Sequence, residues 1–360
     1  MYDEIELMIC DENFERIGVI YDYSSLIWNP KYNEVGEFEI YIEATPENIN
    51  LLKEKNYVFR EDDDYVGVIE NIKITFNSNS LLNMMTVSGR FSEKILGQRI
   101  IWTQTSADAS LEDSMRALIK QNVIEPENTS RKINVIKLGD LIGDTPKISS
   151  QYTGDNLLTV IQENAKEAGL GFRNIYKDGK FYFGFYRGVD RSRNQLANTW
   201  IVFSDEHENL ATFDYQYLLK GYSNVAMVRG EGEGLERKIT IINDNKYIGL
   251  DRYELNVDAR DIQSNNGEIK ADEYTQKLQK RGNEKLAEVG ILETIEGSAE
   301  EDDDKYIYKR DYFLGDLVQV ELTEYNFSYV ARIVSVIESK DENGYSCIPK
   351  FEAVSGTENI

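Results

Sequence analysis

The segment Gly36-Glu37-Phe38-Glu39-Ile40-Tyr41-Ile42-Glu43 alternates apolar and polar residues almost without a break. Side chains on an extended strand point to opposite faces with period 2. Phe38, Ile40 and Ile42 therefore share one face, and Glu37, Glu39, Tyr41 and Glu43 share the other. One face is suited to a core and the other is strongly acidic. The same period recurs nearby: Ile5 to Ile9 alternates, Asp11-Glu12-Asn13 turns, and Ile17 to Tyr23 resumes. Tyr57 to Arg60 and Tyr65 to Phe76 flank the acidic turn Glu61-Asp62-Asp63-Asp64 as a hairpin, and Leu82 to Phe91 adds a strand after the turn at 77–80. The first 97 residues thus predict a strand meander or small barrel. With 23 Tyr and 14 Phe, the aromatic content suits half-buried strand faces.

Between 98 and 198 the period changes. Ser110 is placed to cap a helix carrying Leu111, Met115, Leu118 and Ile119 at helical spacing. Thr153 or Asp155 opens a second helix with Leu157, Leu158, Ile161, Ala165 and Ala168 on one face and Gly169 as its stop. Phe172 to Tyr186 reads as a hairpin turning at Asp178-Gly179. From Trp200 the strand period returns, interrupted by one amphipathic helix over 271–289. Strands at 305–312, 317–322, 327–338 and 345–354 follow. At 360 residues the chain exceeds a single ordinary core, so two or three modules are expected.

Charge excludes some functions. The 40 Lys and Arg stand against 64 Asp and Glu, giving a formal charge of -24, and such a surface repels phosphate backbones and anionic lipid. The opening Met1-Tyr2-Asp3-Glu4 is acidic and resembles no export leader, and no apolar run approaches the roughly 20 residues of a membrane helix. Synthesis and folding in a cytoplasm are expected. Cys10 and Cys347 stand at opposite ends in strand-like stretches, which predicts two buried thiols and no disulfide framework.

Three features together resemble a known family. These are the opening meander with Gly36-Glu37-Phe38-Glu39-Ile40, the mixed insert, and the late segment Asp311-Tyr312-Phe313-Leu314-Gly315-Asp316-Leu317-Val318-Gln319-Val320. The family is that of the Gp37-like tail proteins of siphophages, related to the baseplate hubs of contractile tails. Physically, Leu314-Gly315-Asp316-Leu317-Val318 is a tight turn launching an alternating strand. The resemblance implies a mainly β fold in which two tail-tube-like β-barrel modules bracket an α+β insert. The first module would hold 1–97 plus about 199–220, the insert 98–198, and the second module 221–360 with its helix at about 271–289.

The resemblance also implies a non-enzymatic virion component without cofactor. This would be a homotrimeric baseplate or tail hub whose ring joins the tail tube or a distal tail protein to a spike or tip protein. Tape-measure protein and DNA would pass through its lumen, the DNA without specific binding. The particle would be a phage or a tail-like bacteriocin, assembled in the bacterial cytoplasm, with this subunit at the tail tip or baseplate. Acidic walls suit a DNA conduit, so Glu37, Glu39 and Glu43 are candidate lumen-facing residues; the other reading is an ordinary solvated strand face. The runner-up function is a receptor- or carbohydrate-binding tail-tip protein using exposed Tyr and Trp. A cell-wall hydrolase ranks third, since the chain ends soon after its last expected strand.

No catalytic or metal-ligating constellation emerges from the residue pattern. Ser204-Asp205-Glu206-His207-Glu208 holds the only histidine, but a triad is a matter of geometry and not adjacency, so His207 is expected to be exposed. Gly230-Glu231-Gly232-Glu233-Gly234 carries acids where a phosphate loop needs a lysine, and reads as a turn. The runs Asp62-Asp63-Asp64 and Glu300 to Asp304 lack the spacing of a calcium loop and read as solvated acidic loops.

Overall fold

In the computed structural model, residues 5–76, 82–210, 212–219, 221–264, 269–298 and 306–354 are described. The alternating run at 37–43 forms the centre of the first strand group. Its order of elements is β1 (Leu7–Cys10), β2 (Arg16–Ile20), β3 (Ser25–Asn29), β4 (Glu37–Glu43), the short helix α1 (Pro46–Leu51), β5 (Tyr57–Arg60), β6 (Val66–Thr75) and β7 (Met84–Phe91). Phe38, Ile40 and Ile42 are buried while Glu37, Glu39 and Tyr41 are exposed, as the period requires. Beneath them Trp28, Phe38, Phe91 and Tyr65 pack ring against ring, with Trp28 and Phe91 centroids 4.8 Å apart. Such aromatic contacts add about 0.5–1.5 kcal/mol each beyond simple burial.

The insert follows. It comprises β8 (Thr105–Ala107), α2 (Leu111–Ile119), β9 (Ile136–Leu138), β10 (Ser150–Tyr152), α3 (Leu157–Glu167), β11 (Gly171–Lys177) and β12 (Lys180–Tyr186). Ser110 caps α2 by accepting from the Asp113 amide, as expected. For α3 the cap is Asn156, which accepts from Leu158 and Thr159; Thr153 lies three residues before it and Asp155 one residue before it. Gly169 ends α3 at φ +63, and Asp178 and Gly179 turn the hairpin at φ +50 and +71. The buried faces of α2, α3, β11 and β12 form one cluster with Cys10, Tyr57, Phe59, Val66 and Val68, so insert and first strand group share a core. Both cysteines are buried thiols.

The remaining elements are β13 (Val202–Ser204), β14 (Thr212–Leu218), β15 (Val225–Arg229), β16 (Ile239–Ile242), β17 (Glu254–Asp258), α4 (Ala271–Glu288), β18 (Leu292–Ser298), β19 (Leu317–Leu322), β20 (Phe327–Asp341) and β21 (Gly344–Ala353). Thirteen strands make one sheet, in the order β14, β18, β21, β20, β3, β4, β7, β6, β5, β1, β2, with β19 added to β20 and β13 to β19. Late strands thus join early ones edge to edge at β20 and β3. The fold is mainly β with an α+β insert, and among the described residues no pairing closes the main sheet into a barrel.

Contact density divides the chain into two units, 1–214 with 295–360, and 215–294. Residues 295–354 belong to the unit that holds the first strands. Unit 215–294 has its own small core: β16, β15 and β17 pair in that order, and α4 lays Tyr274 and Leu278 on one face. Gly282 allows close approach there, since a Cβ would lie 2.6 Å from Val228 and Ile242.

Candidate functional site at the seam of the sheet

The seam where β20 meets β3 places Glu338 opposite Trp28. Glu338 occupies an inward position and is 2% exposed, a burial that costs several kcal/mol unless the charge is paired. Three segments supply the partners. Arg60 of β5 donates from Nη2 to Glu338 Oε2 at 3.0 Å, and from Nε and Nη2 to the two oxygens of Asp62 at 2.9 and 2.6 Å. Tyr345 Oη donates to the same Glu338 oxygen at 2.8 Å. Lys309 Nζ lies 2.7 Å from Asp63 Oδ2 and 3.3 Å from Glu338 Oε1. Glu338 Oε1 has no hydrogen bond of good geometry, so this last contact acts through charge and not direction. The Arg60 guanidinium also sits 5.3 Å from the Trp28 ring centroid.

Burial alone would favour the neutral forms of Arg60 and Lys309. Glu338 and Asp62 around Arg60, and Asp63 and Glu338 around Lys309, outweigh it, and both groups are held above their ordinary values. Burial pushes the Asp62 carboxyl up, but the Arg60 guanidinium outweighs this and holds it below its usual range. The turn Asp62-Asp63-Asp64 keeps Asp62 and Asp64 exposed, as its composition suggested, but two of its carboxylates are also paired. Its Asp62 and Asp63 carboxylates neutralise cations from β5 and from a segment 246 residues away. The companion run Glu300 to Asp304 lies outside the described residues.

A second node explains the motif at 314–318. Gly315 adopts φ +94, and a Cβ there would lie 2.2 Å from the Tyr32 ring. Asp316 is 1% exposed; Oδ1 accepts from the Val189 amide at 2.7 Å, and Oδ2 from Arg191 Nε at 2.8 Å and the Phe313 amide at 3.0 Å. The Tyr32 hydroxyl lies 3.1 and 3.3 Å from the carbonyls of Gly169 and Tyr186 and accepts from the Gly188 amide at 3.3 Å. One tight turn therefore locks the exit of the insert, the end of β3 and the start of β19 together.

A third buried acid joins the insert to the strands. Glu93, in the 3-10 turn Ser92–Gln98, accepts from the Asn174 amide at 2.8 Å while its Oε2 and both polar side-chain atoms of Asn174 have no partner. Burial pushes its carboxyl up to about 7, against the opposing effects of the Asn174 amide and Arg173.

Glu37 and Glu39 are exposed and Glu43 half-buried on the outer face of β4, opposite Arg90, Ser88 and Met84 of β7. Lys31 stands 3.4 Å from Glu37. These two residues line a groove of about 420 Å³ with Asn29, Lys166, Ser335 and Glu352. The acidic row is therefore partly countered at one end.

The remaining sequence candidates do not assemble into chemistry. His207 is exposed, and the buried Ser204 hydroxyl accepts from its backbone amide instead of facing its ring. Asp205 accepts from the amides of Thr323 and Glu324. The glycine-rich run closes the turn between β15 and β16, where the Gly230 amide donates to the Lys238 carbonyl and the Lys238 amide to the Glu231 carbonyl. Sequence reasoning missed Arg60, Glu338, Lys309, Asp316 and Glu93 as a set. The available signal was a charge at the inward position of an apolar strand, as in Tyr57-Val58-Phe59-Arg60.

The chain shares its fold with solved tail proteins over their whole lengths. The prophage MuSo2 43 kDa tail protein of Shewanella oneidensis superposes with TM-score 0.60 at 13% identity, covering 97% of this chain and 98% of that one. The tail protein of Neisseria meningitidis MC58 gives 0.59 at 13%, covering 97% and 96%. Prophage tail protein gp18 of Listeria monocytogenes EGD-e gives 0.52 at 11%, covering 98% and 95%. No curated protein matches. Residues 6–351 match the family described as Siphovirus ReqiPepy6 Gp37-like protein, so the chain belongs to that family and carries the fold of phage tail proteins.

Proposed function

We propose that this chain is a non-enzymatic structural protein of a phage tail or tail-like particle, and specifically a hub. Three copies would form a ring joining the tail tube to the tip or spike and enclosing the ejection channel. The observation that carries the reading is the seam: early and late strands build one continuous sheet, held by ion pairs to the buried Glu338, which suits a wall element. Charge agrees with it. Residues 215–294 hold 12 Lys and Arg against 14 Asp and Glu, so nearly all of the -24 belongs to the unit with the large sheet. Two tube-like modules bracketing the insert, a tube protein above, a spike below and tape-measure protein within complete the proposal. Glu37, Glu39 and Glu43 would face the channel, where acidic walls keep DNA from binding.

The test is the mass of the purified chain by light scattering, followed by imaging of the intact particle with this subunit located. A three-chain ring on the tail axis supports the hub; a peripheral fibre position overturns it. One observation favours a second reading, a receptor- or carbohydrate-binding tail-tip protein. Trp102 is 56% exposed with Arg131 stacked 4.2 Å from its ring centroid. Capture of host glycans that is lost on Trp102→Ala would favour that reading.

A further inference from the structure

The outer half of β6 has an unused edge. Among the described residues of β6, β5 pairs with Val66, Gly67 and Val68 alone, while Ile69 accepts from the Lys55 amide and donates to the Asn56 carbonyl. From Asn71 to Thr75 one backbone edge pairs with β7, and the other has no partner among the described residues. Every residue from Asn71 to Phe76 is exposed. Ile72, Ile74 and Phe76 share one face, at 40%, 49% and 77% exposure, yet Val87 and Met85 opposite them on β7 are fully buried. The same sheet face is thus covered on β7 and bare on β6. Lys73 is the one charge on this arm, and no proline interrupts it. The bulge between Ile69 and Asn71 bends its base and leaves the arm itself regular. An open edge with an apolar face is a template for adding a strand.

The chain carries a matching second edge. Among the described residues β2 ends the sheet path and pairs only with β1; it spans five residues as Asn71–Thr75 does, and exposes Ile17. β1 and β5 lie between β2 and β6 in the sheet, so these two edges cannot satisfy each other within one chain. Two different surfaces joined head to tail between copies generate a ring when the rotation closes.

We propose that the β6 arm, Asn71 to Phe76, receives the β2 edge of a second copy of this chain, and that this strand pairing closes the homo-oligomeric ring. The inference rests on the hub reading and adds to it the surface by which the copies meet. Light scattering and circular dichroism of the wild type, Ile72→Lys/Ile74→Lys and Ile17→Lys test it, with hydrogen exchange of the amides at 71–75 as the second measurement. The expected result is a three-chain wild type, a threefold loss of mass in both variants with unchanged circular dichroism, and slow exchange at 71–75 in the wild-type ring. A three-chain mass in either folded variant overturns the inference while leaving the hub reading intact. A wild type that stays a single chain, with free exchange at 71–75, removes both. If a variant loses its native spectrum, exchange in the wild-type ring decides: protection at 71–75 supports the pairing, and loop-like rates overturn it.

Discussion

At the scale of single residues, the buried acids dictate how stability responds to pH and to substitution. Glu93 has an ordinary value of 4.5 in the unfolded chain and about 7 when folded, so the folded state holds its proton more tightly. The stability it contributes is fully present below about 4.5 and is lost as pH rises through about 7, a change worth about 3 kcal/mol. Glu93→Gln keeps a neutral acceptor for the Asn174 amide. Urea unfolding should therefore show the variant more stable than wild type by about 1–3 kcal/mol at pH 8, with the difference vanishing near pH 4.5. Equal pH slopes in the two proteins would rule out a protonated Glu93. At the seam, Arg60→Met leaves Glu338 with Lys309 and Tyr345 alone, at an expected cost of about 3–5 kcal/mol. Arg60→Met/Glu338→Leu should recover much of that loss, and a double-mutant cycle by urea unfolding measures how much. Strictly additive losses would mean that the pair does not act as a unit.

At the scale of elements, the turn at Gly315 separates two costs that a glycine can hide. Gly315→Ala meets both the left-handed φ of +94 and a Cβ placed 2.2 Å from the Tyr32 ring. Gly143→Ala, at φ +65 with nothing within 4 Å, meets only the first. Thermal unfolding should show a loss of about 1 kcal/mol at Gly143 and at least about 3 kcal/mol at Gly315. Equal losses would mean that the Tyr32 ring yields freely. The elements themselves were legible wherever the signal was local. Ser110, the faces of α2, α3 and α4, and Asp178-Gly179 all state their structure within a few residues. Thr45 capping Pro46–Leu51 is equally local but gives no periodic signal, because six residues between two strands are too few to show one. The parallel pairings of β13 with β19 and of β9 with β12 had no local signal, since a parallel partner is chosen by the fold around it.

At the scale of the whole molecule, a mainly β chain with a mixed insert followed from period alone, and the seam did not. β3 and β20 stand some three hundred residues apart, and nothing near Leu26 announces a partner at Lys340. The acidic face of β4 was legible to the residue, while its orientation in the proposed ring would be set by contacts between copies. That orientation is open to measurement. Glu37, Glu39 and Glu43 are at least partly exposed, and the contact of Glu37 with Lys31 is a surface pair worth at most about 1 kcal/mol. Reversal of all three to Lys should leave the thermal midpoint of the isolated chain close to that of wild type. In particles the same change would put nine cations on the wall of a three-chain channel. Each cation that meets a phosphate releases a counterion, so DNA should bind the wall and leave the particle more slowly, most of all at low salt. Ejection followed by DNA dye fluorescence should therefore slow at low salt and recover as salt is added. A rate equal to wild type at every salt concentration, from particles with normal subunit content, would place the three carboxylates away from the channel.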